Sequence, residues 1–236
     1  MTTLLIATRN AHKVGEIQAI LGPQYPCRTL KEFPGAPPVI EDANTFAGNA
    51  TKKAVELARW LAAAPINYPP PIINYVLADD SGLEVDALNG APGVHSARFA
   101  AHNPSAGVLP ASPTENSKDS DNNDKLLHLL KDVPSDKLTA RFRCVMALVP
   151  VRGGKIENAS PVCFADEMEV QIFDGVCEGR IQLSPTGAHG FGYDPLFVPN
   201  HFTQSFAELG EEVKNKLSHR AQALEKLKTH FSYYRE

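Results

Sequence analysis

The chain has 236 residues, 43% of them hydrophobic, and a net charge of −4. That length fits one large domain or two modest lobes with a sizeable core. The acidic balance excludes a surface built to neutralise a run of nucleic-acid phosphates, yet a few cations focused in a cleft could still hold a small anion. Leu4-Leu5-Ile6-Ala7 reads as a short buried strand. Val14, Ile17 and Leu21 recur at helical spacing and stop at Gly22-Pro23. A second strand is predicted over 27–30. Phe46, Ala50, Ala54, Leu57 and Leu61 form the stripe of a helix over 45–64. Four prolines make 64–75 an extended connection, and a strand follows over 75–78. Residues 102–124 are rich in Asn, Ser, Pro and Asp and read as an exposed, mobile insertion, with a short helix after it over 125–130. Strands are predicted over 139–149, 162–173 and 176–183, with Gly153-Gly154 and Asp174-Gly175 as hairpin turns. A last helix over 219–234 takes Ser218 as its N-cap. Early βα units followed by hairpins predict an α/β protein with a mixed sheet.

Cys27, Cys144, Cys163 and Cys177 include no C-x-x-C pair, so they are read as reduced, mostly buried thiols and not as a zinc site. Residues 1–8 have no basic flank ahead of their apolar run, and no apolar stretch is long enough to span a bilayer. The expected location is cytoplasmic. Asn49 and Asn158 match a glycosylation pattern that such a location makes a chance match.

Four polar runs carry chemistry. Thr8-Arg9-Asn10-Ala11-His12-Lys13 lies between a strand and a helix, where helix amides, Asn10 and Lys13 could meet an anion. It lacks the Walker pattern, and by itself it is also what an ordinary βα turn looks like. Asp79-Asp80-Ser81-Gly82 follows the predicted strand at 75–78. A carboxylate there could hold Mg²⁺ against phosphates, or the run could be an Asp-Ser-Gly turn. Glu41 is a candidate second ligand. Lys53 falls near the buried stripe of its helix, where it reaches a cleft or snorkels to solvent. Phe191-Gly192-Tyr193-Asp194 sets two aromatics beside glycines, either as a stacking platform for a purine or as a plug for the core. His219-Arg220 opens the last helix, and Arg220, a donor only, would favour a keto oxygen over an amino group.

Taken together these motifs resemble the inosine/xanthosine triphosphate pyrophosphatases, which hydrolyse purine nucleoside triphosphates with abnormal bases. The likeness also takes in Thr45-Phe46 with Asn49-Ala50, Gly90-Ala91-Pro92-Gly93, Ser96-Ala97-Arg98 and Ser218-His219-Arg220-Ala221. The resemblance implies an elongated α/β fold, with two lobes around a nucleotide cleft and a central mixed sheet flanked by helices, and a homodimer. It implies that Thr8 to Lys13 hold the triphosphate. Glu41 and Asp80 would bind Mg²⁺, with Asp80 also the general base. Lys53, Ser81 and Lys214 would contact substrate, and Phe191, Gly192, Tyr193, Asp194, His219 and Arg220 would form the base pocket. Three departures stand out: the Pro-rich connection and the 102–124 insertion look longer than the family's common pattern, and two single residues differ. Arg9 occupies a position where the family commonly has Gly, and His189 stands where Gly is frequent. The expected reaction is Mg²⁺-dependent hydrolysis of ITP, dITP or XTP to monophosphate and pyrophosphate. The rival expectations are a pyrophosphatase for other modified nucleotides and a nucleotide sensor without turnover.

Overall fold

Leu4, Leu5 and Ile6 have no polar face, and the strand they form, β1 (Leu4–Ile6), is buried on both sides. The computed structural model describes residues 2–63, 73–101, 116–151, 162–165 and 168–233. Its helices are α1 (Ala11–Leu21), α2 (Phe46–Ala63), α3 (Asp119–Leu130), α4 (Phe206–Leu217) and α5 (His219–Tyr233). The remaining strands are β2 (Cys27–Thr29), β3 (Tyr75–Val85), β4 (Thr139–Pro150), β5 (Val162–Ala165), β6 (Met168–Ile181) and β7 (Phe197–Pro199). Hydrogen-bonded neighbours run β2-β1-β3-β4-β6-β5, and β7 pairs with β6. β1 lies parallel to β2 and β3, whereas β6 is antiparallel to β5 and β7, so the sheet is mixed as expected.

The chain divides into two compact units. One takes Met1–Asp80, Val145–Asp174 and Ala223–Glu236; the other takes Ser81–Cys144 and Gly175–Gln222. In the first, Phe231 of α5 packs on Tyr25 and Tyr75 with ring centroids 5.5 Å away in each case. The second is built round Phe142, Phe197 and Phe206, enclosed by Leu83, Leu126, Leu130 and Ile181. Among the described residues no helix is long and apolar enough to cross a membrane. Cys144 and Cys177 are buried free thiols, and burial pushes the Cys177 thiol up to about 12. Cys163 has a side chain outside the described residues. Asn49 has no exposed surface, which closes it to glycosylation.

Four expectations need correction. The strand expected over 75–78 runs on to Val85, straight through Asp79-Asp80-Ser81-Gly82. Gly82 is not there to turn the chain. A side chain on it would collide with the Ser96 hydroxyl and the Gly93 carbonyl, so it permits a close approach. Asp174-Gly175 is not a hairpin turn either. β6 passes through it with Phe173, Gly175, Cys177, Gly179 and Ile181 buried, while exposed Asp174 pairs with Lys226 at 2.6 Å. The helix expected over 125–130 starts at Asp119, inside the supposed insertion. Its polar residues satisfy backbone groups: buried Asn122 accepts from the Ala100 amide at 2.8 Å and donates to the Ala97 carbonyl at 3.4 Å. The rest of that insertion (102–115), residues 64–72 and Gly153-Gly154 lie outside the described residues. Finally, α4 was not foreseen. Ser205 and Glu208 close its first turn as a capping box, and Gly210, at φ 75°, kinks it.

Candidate active site

Asp79 and Asp80 are consecutive strand residues, so their carboxylates leave opposite faces of β3. Both are buried. Asp79 takes the Lys13 ammonium at 2.5 Å. Asp80 accepts from Asn49 Nδ2 at 3.0 Å. Lys53 projects from the buried stripe of α2, donates to the Asp79 carbonyl, and stands 3.2 Å from Glu41 Oε1 and 3.9 Å from Asp80 Oδ1. Glu41 and Asp80 therefore converge on one ammonium. Asp42 diverges to the surface, where it meets Lys52 at 2.7 Å. Burial pushes the Asp80 carboxyl up to about 6; Lys53 and Lys13 pull it back, and Glu41 adds to the rise.

Among the described residues no group of three or more His, Cys, Asp and Glu gathers. Two carboxylates still suit Mg²⁺, which keeps several waters and takes substrate phosphate oxygens to complete an octahedron. Glu41 and Asp80 bring two carboxylates to a single ammonium, so a divalent ion would find oxygen donors on both.

Asn49 ties this group together, since its Oδ1 also accepts the Ala43 amide at 2.9 Å, two residues beyond Glu41. Asn49→Ala is expected to lower kcat/KM by about tenfold, the loss of one charge-assisted bond and one neutral bond, and to weaken Mg²⁺ binding; a metal titration of the variant by calorimetry checks the second effect.

The first polar run behaves differently from the expectation of free helix amides. Asn10 Oδ1 caps α1 and takes the amides of His12 at 2.9 Å and Lys13 at 3.2 Å. What the run offers an anion is thus mainly side chains: Lys13, the Thr8 hydroxyl and Asn10 Nδ2. The backbone at Arg9 does not take a positive φ, so the loop does not need a Gly at that position. The Arg9 guanidinium reaches the Ala36 carbonyl at 3.0 Å. Ala11 opens α1, and His12 is exposed beside it.

The second unit holds Phe191, Tyr193, Asp194, Lys214, His219 and Arg220. Arg220 is fully buried, donates to the Ser81 hydroxyl at 2.8 Å and lies 6.0 Å from the Phe191 ring. His219 stacks flat on Phe142, with centroids 4.8 Å apart and planes 13° off parallel. Tyr193 faces the core and donates its hydroxyl to the Ser96 carbonyl at 2.9 Å, which leaves half-buried Phe191 as the platform candidate. Lys214 and Asp194 form a buried pair at 2.5 Å, and the Lys214 ammonium sits 4.5 Å from the Phe191 centroid. Asp194 Oδ2 also accepts the Phe191 amide at 2.8 Å. Gly190, at φ 79°, leaves room for that carboxylate, which a side chain would strike. Gly192 lies at φ 63° between Asp119 and Asn123 of α3. His189 is exposed, and its amide donates to the Ala207 carbonyl at 3.2 Å.

Residues 4–230 match the family model described as the Ham1 family. A protein of Shouchella clausii named dITP/XTP pyrophosphatase is 42% identical over 97% of this chain and 96% of its own length. A protein of the same name from Desulforamulus reducens is 44% identical over 94% of this chain and 92% of its own. Among solved structures, the Staphylococcus aureus Ham1 protein superposes with a TM-score of 0.73 at 30% identity, covering 99% of this chain and 100% of that one. Near-complete coverage in both directions, on the same α/β fold, leaves one conclusion: the chain belongs to the Ham1 family.

Proposed function

We propose that this chain hydrolyses dITP, XTP and ITP to the nucleoside monophosphate and pyrophosphate, and so removes abnormal purine nucleotides from the pool. The observation that carries the proposal is the convergence of Glu41 and Asp80 on Lys53, with Lys13 one residue along β3 at Asp79. Such a group can take a triphosphate together with a divalent ion, and relatives of near-equal length bear the name of this activity.

Glu41 and Asp80 would hold Mg²⁺, which when bound neutralises charge developing on the pyrophosphate leaving group. Lys13 and Lys53 orient the phosphates and share that neutralisation. Asp80 Oδ accepts the proton of the water that attacks the α-phosphorus. Phe191 offers a face to the purine, and Arg220, with donors only, favours a keto oxygen at the six-position over the amino group of ATP. Leaving buried donors unpaired against the wrong base gives strong discrimination. A cytoplasmic homodimer belongs to the same reading, and light scattering of the purified chain tests the dimer.

Product analysis is the direct check on the chemistry. The protein is incubated with Mg²⁺ and, in parallel, ITP, dITP, XTP, ATP, GTP or dUTP. Monophosphate and pyrophosphate from the hypoxanthine and xanthine nucleotides, with ATP largely spared, is the expected result. Orthophosphate and diphosphate would move the attack to the γ-phosphorus and overturn the mechanism. Binding without turnover would make the protein a sensor.

A further inference from the structure

The peptide around Gly192 is gripped from both ends by one turn of α3. Asp119 Oδ2 accepts the Gly192 amide at 2.6 Å, and Asn123 Nδ2 donates to the Gly192 carbonyl at 3.0 Å. Four residues apart on a helix, these side chains rise from the same face. With the Phe191 amide held by Asp194 Oδ2 and the Phe191 carbonyl taking the Asp194 amide at 3.3 Å, four backbone polar groups around Phe191 have fixed partners. α3 is itself anchored. Asn122 bridges the Ala100 amide and the Ala97 carbonyl, and Lys125 donates to the Phe99 carbonyl at 2.7 Å while lying over that ring.

Gly192 lies in left-handed backbone, yet nothing would obstruct a side chain added to it. Its peptide is fixed by the two side-chain bonds from α3. A glycine-flanked aromatic without such bonds would sample many ring directions, and the binding of a flat base would have to order it.

We propose that Asp119 and Asn123 are positioning residues for the base: they lock the Gly192 peptide and so preset the Phe191 ring for stacking. This rests on the proposed function in one respect, that the flat ligand is a purine nucleotide. Asp119 and Asn123 bond the Gly192 peptide, and neither is among the residues given to the phosphates or the metal. Loss of this clamp should raise KM and leave kcat nearly unchanged.

The test uses the full chain with Asp119→Ala, Asn123→Ala and Asn123→Asp, the last keeping the shape but presenting an acceptor to the Gly192 carbonyl. Each lost bond is expected to raise KM for dITP by about five- to tenfold, with kcat within about twofold and Asp119→Asn close to the parent. In a Phe191→Ala background the same changes should add little, because the clamp acts through that ring. Amide exchange across 190–194 without nucleotide should speed up in the Ala and Asp variants. Unchanged KM, a fall confined to kcat, or full additivity with Phe191→Ala overturns the proposal, as does unchanged exchange. Should the parent hydrolyse no nucleotide, affinity for the α,β-imido analogue of ITP takes the place of KM. Clamp-dependent affinity would then keep the proposal while the hydrolytic reading fell, and clamp-independent affinity or no binding would end both.

Discussion

Asp80→Asn is expected to cost at least about 100-fold in turnover, the usual scale for loss of a general base, and at the same time to stabilise the metal-free protein above pH 6. The carboxyl is buried, and it holds its proton to about pH 6 against an ordinary value of 3.8. Between those values the folded chain binds a proton that the unfolded chain has released. Stability therefore falls as pH rises through the window, and the loss is complete above pH 6. About two units of displacement correspond to roughly 2–3 kcal/mol. Asparagine keeps an acceptor for Asn49 and removes the charge, so thermal melts in EDTA should show the variant ahead at pH 8 and level with the parent near pH 4. Mg²⁺ should reverse the order, because it stabilises only the protein that binds it well. A variant with full turnover, or one equally unstable at pH 8, would remove Asp80 from the role given to it.

Asp194→Ala should unfold the protein far more readily, by about 3–5 kcal/mol, since it strands the Lys214 ammonium in a buried site. In a chain of this size that is a fall of about 10 °C or more in melting temperature. The same change frees the Phe191 amide and removes the group that Gly190 was shaped to admit. Lys214→Met added to it should recover a large part of the stability, because the stranded charge is gone, and should recover none of the lost dITP affinity, because the loop around Phe191 remains unsupported. Urea titrations of the single and double variants decide this. Equal stabilities would mean that the pair contributes little.

The elements with simple periodicity could be read before the structure. β1 appears within a few residues of its predicted ends because it is apolar throughout, and α1, α2 and α5 because one face of each is apolar and its stops are glycine, proline or a capping side chain. The errors share a physical cause. At Gly82, at Asp174-Gly175 and in the first turn of α3, residues that usually mark turns or exposed chain instead meet a partner distant in sequence. These partners are the Ser96 hydroxyl, the Lys226 ammonium and the carbonyl of Ala97. Local pattern cannot register such partners. The same holds for the candidate site. Lys53 was legible as a cation on a buried stripe, but its meeting with Glu41 and Asp80 required the fold. Asp119 and Asn123 gave no signal, because an acidic, Asn-rich run reads first as solvated chain. Tyr193 read as a possible platform, and only the packing around its ring shows it committed to the core.

The interleaving of the two units sets a timetable for synthesis. Every residue named for the proposed chemistry has been joined to the chain once Arg220 has been added. The unit that holds Glu41, Lys53 and Asp80 still lacks Phe231 at that moment, and so lacks the ring that covers Tyr25 and Tyr75. At about 5–20 residues per second the gap is brief. A transcript damaged within it would nonetheless yield a chain complete in its chemistry and open in its core. Such a product would expose two aromatic faces to proteases and chaperones, and the cell would register the fault through quality control before any loss of catalysis.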